Sequence, residues 1–119
     1  MAGRDARMTV QHDGEIVKIH LLDRNILEEA AIQQIGEEIS TIVEQAPSPK
    51  ILINFSNVEH LSSAALGTLI TINNKVRQKA GQLRLSNIDA QIYEVFVITR
   101  LNKLFQIFDD DEQAVDSFK

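Results

Sequence analysis

The strongest structural signal in the sequence is a short apolar run, Ile51-Leu52-Ile53-Asn54-Phe55. Pro49 stands close before this run, and the polar pair Ser56-Asn57 follows it directly. A short apolar run with such borders is typical of a strand that is buried on both faces, as in a sheet covered by helices. The sequence therefore predicts an interior strand of an α/β sheet.

The residues before this strand predict a hairpin and a helix. Two short apolar stretches lie on either side of Asp13-Gly14, and Asp-Gly is a strong signal for a tight turn between antiparallel strands. From Leu27 onward, apolar residues recur every three to four positions, which predicts an amphipathic helix of about five turns. Pro47 would end this helix, because proline has no amide hydrogen to donate.

After the buried strand, the pattern again alternates between helical and extended segments. A second helix is expected from Ser62 onward, and Gly81 is expected to end it as a cap residue in the left-handed conformation. The remaining predicted segments are a strand through Leu83, Leu85 and Ile88, a helix capped by Asp89, an extended segment over Leu104 to Phe108, and a last helix over Asp111 to Phe118.

Strands that alternate with helices imply parallel neighbours joined by right-handed crossovers. The predicted fold class is therefore α/β, a small mixed sheet of four to five strands with three to four helices packed mainly on one face. The chain has 119 residues, which is the size of one domain. We expect a single domain over residues 8–119 and a disordered amino-terminal segment over residues 1–7.

The composition excludes several classes of protein. The formal net charge is −5, which disfavours direct binding of nucleic acid. The absence of cysteine excludes disulfides, thiolate metal sites and cysteine nucleophiles, and it suits the reducing cytoplasm. No apolar run approaches the roughly 18 residues that span a bilayer. We expect a cytoplasmic protein that neither inserts into a membrane nor holds a cofactor.

The three histidines give little support to catalysis. His12 and His20 have no second metal ligand at suitable spacing, and no metal site is predicted. His60 precedes Ser62 and Ser63, so a serine hydrolase with His60 as the base of Ser63 is one alternative. The Gly-x-Ser-x-Gly motif is absent, and residues two or three apart at a helix start rarely align as base and nucleophile. We expect no enzymatic activity.

The junction between the buried strand and the second helix is the main candidate site. Ser62 and Ser63 bring two hydroxyls to the amino end of the helix. One of them is explained as an N-cap, which contributes about 1 kcal/mol. The other is free for a second role, and the small side chains of Ala64 and Ala65 let a partner approach closely.

The junction Leu61-Ser62-Ser63-Ala64-Ala65-Leu66-Gly67 resembles that of STAS domains of the bacterial anti-sigma-factor antagonist type. The segments Gly81 to Leu85 and Ile98 to Phe105 add to the resemblance, which extends from Met8 to the end of the chain. With the small residues before Leu66 aligned, the serine that is phosphorylated in the family corresponds to Ser63. The family aspartate corresponds to Ser62.

This resemblance implies a partner-switching protein. Unmodified, it would bind an anti-sigma factor that is also a serine kinase and so free the sigma factor. Phosphorylation of Ser63, with Ser62 as second choice, would end that binding, and a serine phosphatase would restore it. The implied partner-binding residues are Asp23, His60, Leu61, Ser62, Ser63, Ala64, Ala65 and Leu66, with Asp23 as the acidic group of this surface.

The resemblance also leaves a second function open. STAS domains serve as non-phosphorylated scaffold or adaptor subunits of larger signalling or transport assemblies. The sequence decides neither between these two roles nor whether the chain self-associates.

Overall fold

The structure is a computed structural model that describes residues 7–118. The strands of this part of the chain are β1 (Met8–Asp13), β2 (Ile16–Leu21), β3 (Asn25–Ile26), β4 (Lys50–Asn54), β5 (His60–Leu61), β6 (Gln82–Ser86) and β7 (Gln106–Phe108). The helices are α1 (Glu29–Glu44), α2 (Ser63–Gln78), α3 (Ala90–Ile98), α4 (Leu101–Leu104) and α5 (Asp111–Asp116).

Five of these strands form one mixed sheet in the order β1-β2-β4-β6-β7. β1 is antiparallel to β2, and all other neighbours are parallel. β4 lies at the centre, and its residues Ile51, Leu52 and Ile53 are fully buried. The predicted α/β fold with an interior strand after the prolines is confirmed.

The predicted hairpin is also confirmed. Asp13 pairs with Ile16, so β1 and β2 are joined by a two-residue turn. Gly14 is the first residue of that turn and has a φ of +62°, a conformation that glycine adopts without steric cost.

Alternation along the strands divides the buried residues between the two faces of the sheet. On one face, Ile51 and Ile53 belong to the main core, which is closed by α1, α2 and α3. On the other face, Leu52 belongs to a small cluster with Ala114 and Phe118, in and next to α5. The three long helices therefore share one face, as predicted, and α5 covers the other.

Polar bonds help to hold α5 against the sheet. The Asp111 Oδ1 accepts hydrogen bonds from the Ser86 Oγ at 2.6 Å and from the Asn54 Nδ2 at 2.8 Å. The Arg84 guanidinium lies 4.8 Å from the centre of the Phe118 ring. Burial lowers the pKa of Arg84 from its ordinary value, yet a guanidinium stays charged at neutral pH.

The structure corrects the expected end of α2. The residue in the left-handed conformation is Ala80, with a φ of +57°, and not Gly81. Gly81 packs so closely on Pro49 that a Cβ atom there would overlap the Pro49 carbonyl oxygen and lie 2.8 Å from the Pro49 Cγ. The glycine is therefore needed for close approach, and the left-handed position falls one residue earlier.

The amino-terminal boundary of the first helix also differs from the pattern. α1 begins at Glu29, and Leu27 lies before it with 53% of its surface exposed.

Of the expected disordered segment over residues 1–7, residues 1–6 lie outside the described part of the chain. Arg7 is described, and its carbonyl oxygen accepts a hydrogen bond from the Leu22 N–H at 2.9 Å. Between residues 7 and 118, no helix has the length and apolar character needed to cross a membrane.

Candidate functional site

The junction before α2 is held in place by buried apolar residues. After β4, Phe55 and Val58 are both buried, and the Val58 N–H donates to the Phe55 carbonyl oxygen at 2.9 Å. Ala65 and Leu66 in the first turns of α2 are buried as well. The loop and the start of the helix are thus anchored on both sides, so the residues between them have a defined place on the surface.

A second segment, the residues after β2, is tied to this junction. β3 pairs with β5 in parallel, with Asn25 opposite His60 and Ile26 opposite Leu61. The Glu59 N–H donates to the Arg24 carbonyl oxygen at 2.7 Å, on the same pair of segments. Sequence analysis missed this pairing, because a two-residue strand has no periodicity from which it can be recognised.

Ser62 is the N-cap residue of α2. Its Oγ accepts a hydrogen bond from the Ala65 N–H at 3.2 Å, and its backbone is extended with φ −80° and ψ 164°. The Ser62 N–H in turn donates to the Ile26 carbonyl oxygen at 3.1 Å. The Ser62 hydroxyl is therefore occupied by the structure of the helix start.

Ser63 is the first residue of α2, and its side chain is exposed. In the described part of the chain, the Ser63 hydroxyl has no hydrogen-bond partner. The neighbouring Ala64 is also exposed and has only a methyl group as its side chain. The arrangement presents a free hydroxyl at the positive end of a helix dipole, with little steric cover around it.

The other residues of the expected site differ in accessibility. His60 is exposed, and its Nδ1 lies 2.7 Å from the Asn25 Oδ1. Leu61 is half-buried, whereas Ala65 and Leu66 lie in the core and form the floor beneath the surface. Of this group, His60, Ser63 and Ala64 are exposed.

Asp23 lies in the segment that borders the junction, but its carboxylate is already paired. The Arg7 Nη1 donates to the Asp23 Oδ2 at 2.8 Å, and the Asp23 side chain is 15% exposed. The charges closest in sequence to the β3–β5 pairing are Arg24 and Glu59, whose ion pair of 3.4 Å is well exposed. An exposed pair of this kind contributes little free energy, so both side chains are free to rearrange on binding.

The geometry offers no catalytic arrangement for the two serines. No hydrogen bond links His60 to Ser62 or Ser63 within residues 7–118. No group of three or more histidine, aspartate or glutamate residues in that range could hold a metal ion. What the site presents is a small polar surface with one free hydroxyl.

A groove of about 530 Å³ between α1 and α2 adjoins this surface. Ala64 lies in its lining, together with the small residues Gly36, Gly67 and Thr68 and with longer polar and charged side chains. The two helices pack closely here, since a Cβ on Gly36 would lie 2.9 Å from the Thr68 Cγ2. The groove extends the surface around Ser63 along the helices.

Comparisons with known proteins agree with this architecture. The family model of the STAS domain matches residues 8–114. The putative anti-sigma factor antagonist BtrV of Bordetella bronchiseptica is 23% identical over 96 residues, which cover 81% of this chain and 82% of BtrV.

Solved structures show the same fold. An anti-sigma-factor antagonist (STAS) domain protein of Planctomyces limnophilus superposes with a TM-score of 0.83 at 18% identity, covering 94% of this chain and 97% of that one. The phosphorylated form of SpoIIAA from Bacillus gives a TM-score of 0.71 at 23% identity, covering 94% and 99%.

The chain belongs to the STAS domain family. Its fold is the one seen in anti-sigma-factor antagonists, in agreement with the resemblance in the sequence.

Proposed function

We propose that this protein is an anti-sigma-factor antagonist that works by partner switching in the cytoplasm. In its unmodified form it binds an anti-sigma factor with serine-kinase activity, and phosphorylation of Ser63 releases that partner until a phosphatase removes the phosphate. The observation that carries the proposal is the free, exposed Ser63 hydroxyl at the start of α2, next to a serine that is already used as the cap.

Ser63 is favoured over Ser62 because the two hydroxyls have different surroundings. Ser62 is half-buried and its Oγ accepts the Ala65 N–H, so a kinase would have to break that bond to reach it. Ser63 can enter a kinase active site without any change in the helix. In the sequence resemblance to STAS domains, Ser63 also takes the place of the serine that is phosphorylated in the family.

The free energies support a switch that acts at the interface and leaves the fold unchanged. A phosphate adds about −1.5 to −2 charge at pH 7. At the start of a helix this charge is stabilised by about 0.3 to 1 kcal/mol. At a closed interface an unpaired charge costs several kcal/mol, and each 1.4 kcal/mol or so is tenfold in affinity. Loss of partner binding is therefore the larger effect.

The surface for the partner consists of the exposed residues around Ser63. Ala64 follows Ser63 directly and His60 lies three residues before it, and Asn25 belongs to the same surface because its Oδ1 contacts the His60 Nδ1. Ala65 and Leu66 take part indirectly, because they fix α2 against the core. The absence of a bulky side chain at position 64 lets a kinase or an anti-sigma factor come close to the hydroxyl.

Phosphate mapping tests the site of modification. The protein, Ser62→Ala and Ser63→Ala are each incubated with ATP and the candidate anti-sigma-factor kinases of the source organism, and phosphate is located by mass spectrometry. We expect phosphate on Ser63 in the protein without substitutions and in the Ser62→Ala variant, and no phosphate in the Ser63→Ala variant. Label on neither serine with any of these kinases would favour the scaffold or adaptor role.

Binding measurements test the consequence of the charge. Ser63→Asp should weaken binding of the same kinases by at least about tenfold. Asn74→Asp is the matched control, since Asn74 is exposed on the same helix and the substitution gives the same net charge. It should change affinity by less than about threefold. Equal losses for both variants would mean that total charge matters and the position of Ser63 does not.

A further inference from the structure

A contact between a serine and a histidine lies at the carboxyl ends of two parallel strands, outside the surface around Ser63. β2 and β4 pair with His20 opposite Asn54, and Ser56 lies two residues beyond Asn54. The Ser56 Oγ lies 2.9 Å from the His20 Nε2. The carboxyl ends of parallel strands are also the edge at which open α/β sheets bind ligands.

Asn57 determines which nitrogen of the His20 ring carries the proton. Its Nδ2 donates to the Leu21 carbonyl oxygen at 3.3 Å and lies 3.4 Å from the same His20 Nε2. Because a carbonyl oxygen only accepts, the atom that faces it is the amide nitrogen, and this nitrogen can only donate to the ring. The His20 Nε2 is therefore an acceptor, and the proton of the neutral ring is on Nδ1. It follows that the Ser56 hydroxyl donates to Nε2.

The direction of this hydrogen bond gives Ser56 the arrangement of an activated nucleophile. A serine is activated when its hydroxyl donates to a base, and an unprotonated imidazole nitrogen is the usual base. Proton transfer requires the two atoms to lie about 2.6 to 3.2 Å apart, and the Ser56–His20 contact lies in this range. The Ser63 hydroxyl, in contrast, has no base within hydrogen-bond distance in residues 7–118.

The turn that contains Ser56 leaves one backbone donor free at the next residue. The Ser56 N–H donates to the Asn54 Oδ1 at 2.7 Å, and the Val58 N–H donates to the Phe55 carbonyl oxygen at 2.9 Å. The Asn57 N–H between them has no partner within residues 7–118. In acyl transfer, the N–H of the residue after a nucleophilic serine is one of the donors that stabilise the oxyanion.

We propose that Ser56 and His20 form a nucleophile–base pair that makes Ser56 reactive toward activated acyl groups. The Ser56 Oγ forms a bond to the acyl carbon, and its proton passes to the His20 Nε2. The bond between the acyl carbon and the leaving group then breaks, and the leaving group keeps the electron pair of that bond. His20 returns the proton to the leaving group or to water, and the product is an ester of Ser56.

The pair accepts one acyl group and does not turn over. In the described part of the chain, no carboxylate is bonded to the His20 Nδ1. The imidazolium therefore lacks the partner that stabilises it in a catalytic triad. Ser56 is thus a modification site, and its modification requires neither ATP nor a kinase.

Acetylation by p-nitrophenyl acetate tests the proposal on the protein alone. The protein is incubated with this ester, and acetyl groups are located over time by mass spectrometry of its peptides. Ser56 should be acetylated at least about a hundredfold faster than Ser63, because general-base assistance contributes a factor of this size. Ser63 and Ser48 are both exposed, so they serve as controls within the same reaction.

Substitution of the histidine tests its role as the base. Glutamine in His20→Gln can accept a hydrogen bond from Ser56 but cannot take up its proton, so acetylation of Ser56 should fall by at least about a hundredfold. His12→Gln is the matched control, since His12 is exposed on β1, and it should leave the rate unchanged. Nitrogen NMR shifts of the His20 ring report the tautomer directly, and we expect the proton on Nδ1.

Three outcomes would overturn the proposal. The first is equal acetylation of Ser56 and Ser63 in the protein without substitutions. The second is a His20→Gln variant, shown to be folded by circular dichroism, in which Ser56 reacts as fast as before. The third is a neutral His20 ring with its proton on Nε2, because this nitrogen could not accept from Ser56. The first and third need no variant, and none of the measurements depends on whether Ser63 is phosphorylated.

Discussion

The two ends of α2 satisfy their backbone groups in different ways. At the amino end a side chain does so, since the Ser62 Oγ accepts the Ala65 N–H. At the carboxyl end only the backbone takes part. The Gly81 N–H donates to the Val76 carbonyl oxygen at 2.9 Å, and the Ala80 N–H donates to the Arg77 carbonyl oxygen at 3.0 Å. This is the pair of bonds that defines a Schellman motif.

The two ends of α2 should therefore contribute differently, one to the stability of the protein and the other to its function. At the carboxyl end, Gly81 packs so closely on Pro49 that no side chain fits at that position, so a substitution there should act on stability. At the amino end, one serine satisfies the helix and its neighbour is left free. The free energy of unfolding should therefore depend on Ser62 and be nearly independent of Ser63. The following substitutions test this contrast in order of their expected effect on stability.

Gly81→Ala should have the largest effect. The new methyl group would overlap the Pro49 carbonyl oxygen, which already accepts the Gln82 N–H at 2.7 Å. Both partners are backbone at the start of a strand, so neither can move without disturbing the sheet. We expect a loss of about 3 kcal/mol in the free energy of unfolding, measured by urea denaturation.

Gly67→Ala is the control for that substitution. Gly67 lies in the interior of the same helix, and apart from the backbone of α2 itself no atom of the described residues lies within 4 Å of its added Cβ. The variant should be more stable by up to about 1 kcal/mol, because alanine is the better helix former. If Gly81→Ala were as stable as Gly67→Ala, the close contact with Pro49 would not explain the glycine.

Ser62→Ala should have the next largest effect. It removes the hydrogen bond between the Ala65 N–H and the Ser62 Oγ, so the Ala65 N–H loses its partner. We expect a loss of about 1 kcal/mol, again from the denaturation midpoint. Ser62→Asp should restore most of that loss, since aspartate is an equally good N-cap. A Ser62→Asp variant as unstable as Ser62→Ala would mean that the hydroxyl is not acting as a cap.

Ala80→Gly should stabilise the protein slightly. Ala80 has a φ of +57°, which costs an alanine roughly 1 to 2 kcal/mol and a glycine almost nothing. Glycine also raises the entropy of the unfolded chain, which removes about half of that gain. We expect a net increase of about 0.5 kcal/mol.

The control for Ala80→Gly lies two residues earlier. Gln78→Gly places the same residue in the last turn of α2, where the backbone is helical, and should destabilise the protein by up to about 1 kcal/mol. Thermal denaturation should thus give shifts of opposite sign for the two variants. Shifts of the same sign would contradict a strained backbone at Ala80.

The comparison also explains how far the sequence could predict the fold and the site. The strand over Ile51 to Phe55 and the Asp13-Gly14 hairpin follow from local pattern and turn chemistry, and both are confirmed. The end of α2 could not be predicted in detail. Local propensity places a glycine in the left-handed position, and only the contact with Pro49 shows why Gly81 is needed one residue later.

The candidate site shows the same limit. The sequence placed two serines at a helix start, but only the hydrogen bond to Ala65 distinguishes the cap from the free hydroxyl. The pairing of Asn25 with His60 joins residues 35 positions apart through strands of two residues, which no periodicity signals. The partner of Asp23 is Arg7, which belongs to a segment for which the sequence predicted no structure. The features of the site that the sequence did not predict therefore all depend on contacts between segments that are far apart in the chain.

The smallest effects on stability are expected at Ser63. The Ser63 hydroxyl has no bond to lose within the described residues, so Ser63→Ala should change the free energy of unfolding by less than about 0.5 kcal/mol. Ser63→Asp should raise it by about 0.3 to 0.5 kcal/mol, because a negative charge in the first turn interacts favourably with the helix dipole. High salt should reduce that small gain.

Measuring both stability and partner binding of Ser63→Ala and Ser63→Asp tests the difference between Ser62 and Ser63 at the amino end of α2. If Ser63→Asp stabilises the fold and weakens partner binding at the same time, the effect on binding cannot come from unfolding of α2. A Ser63→Asp variant that loses stability by as much as Ser62→Ala would remove the distinction between the two serines. In that case the free hydroxyl would be a part of the helix start, and the proposal of a switch at Ser63 would lose its structural basis.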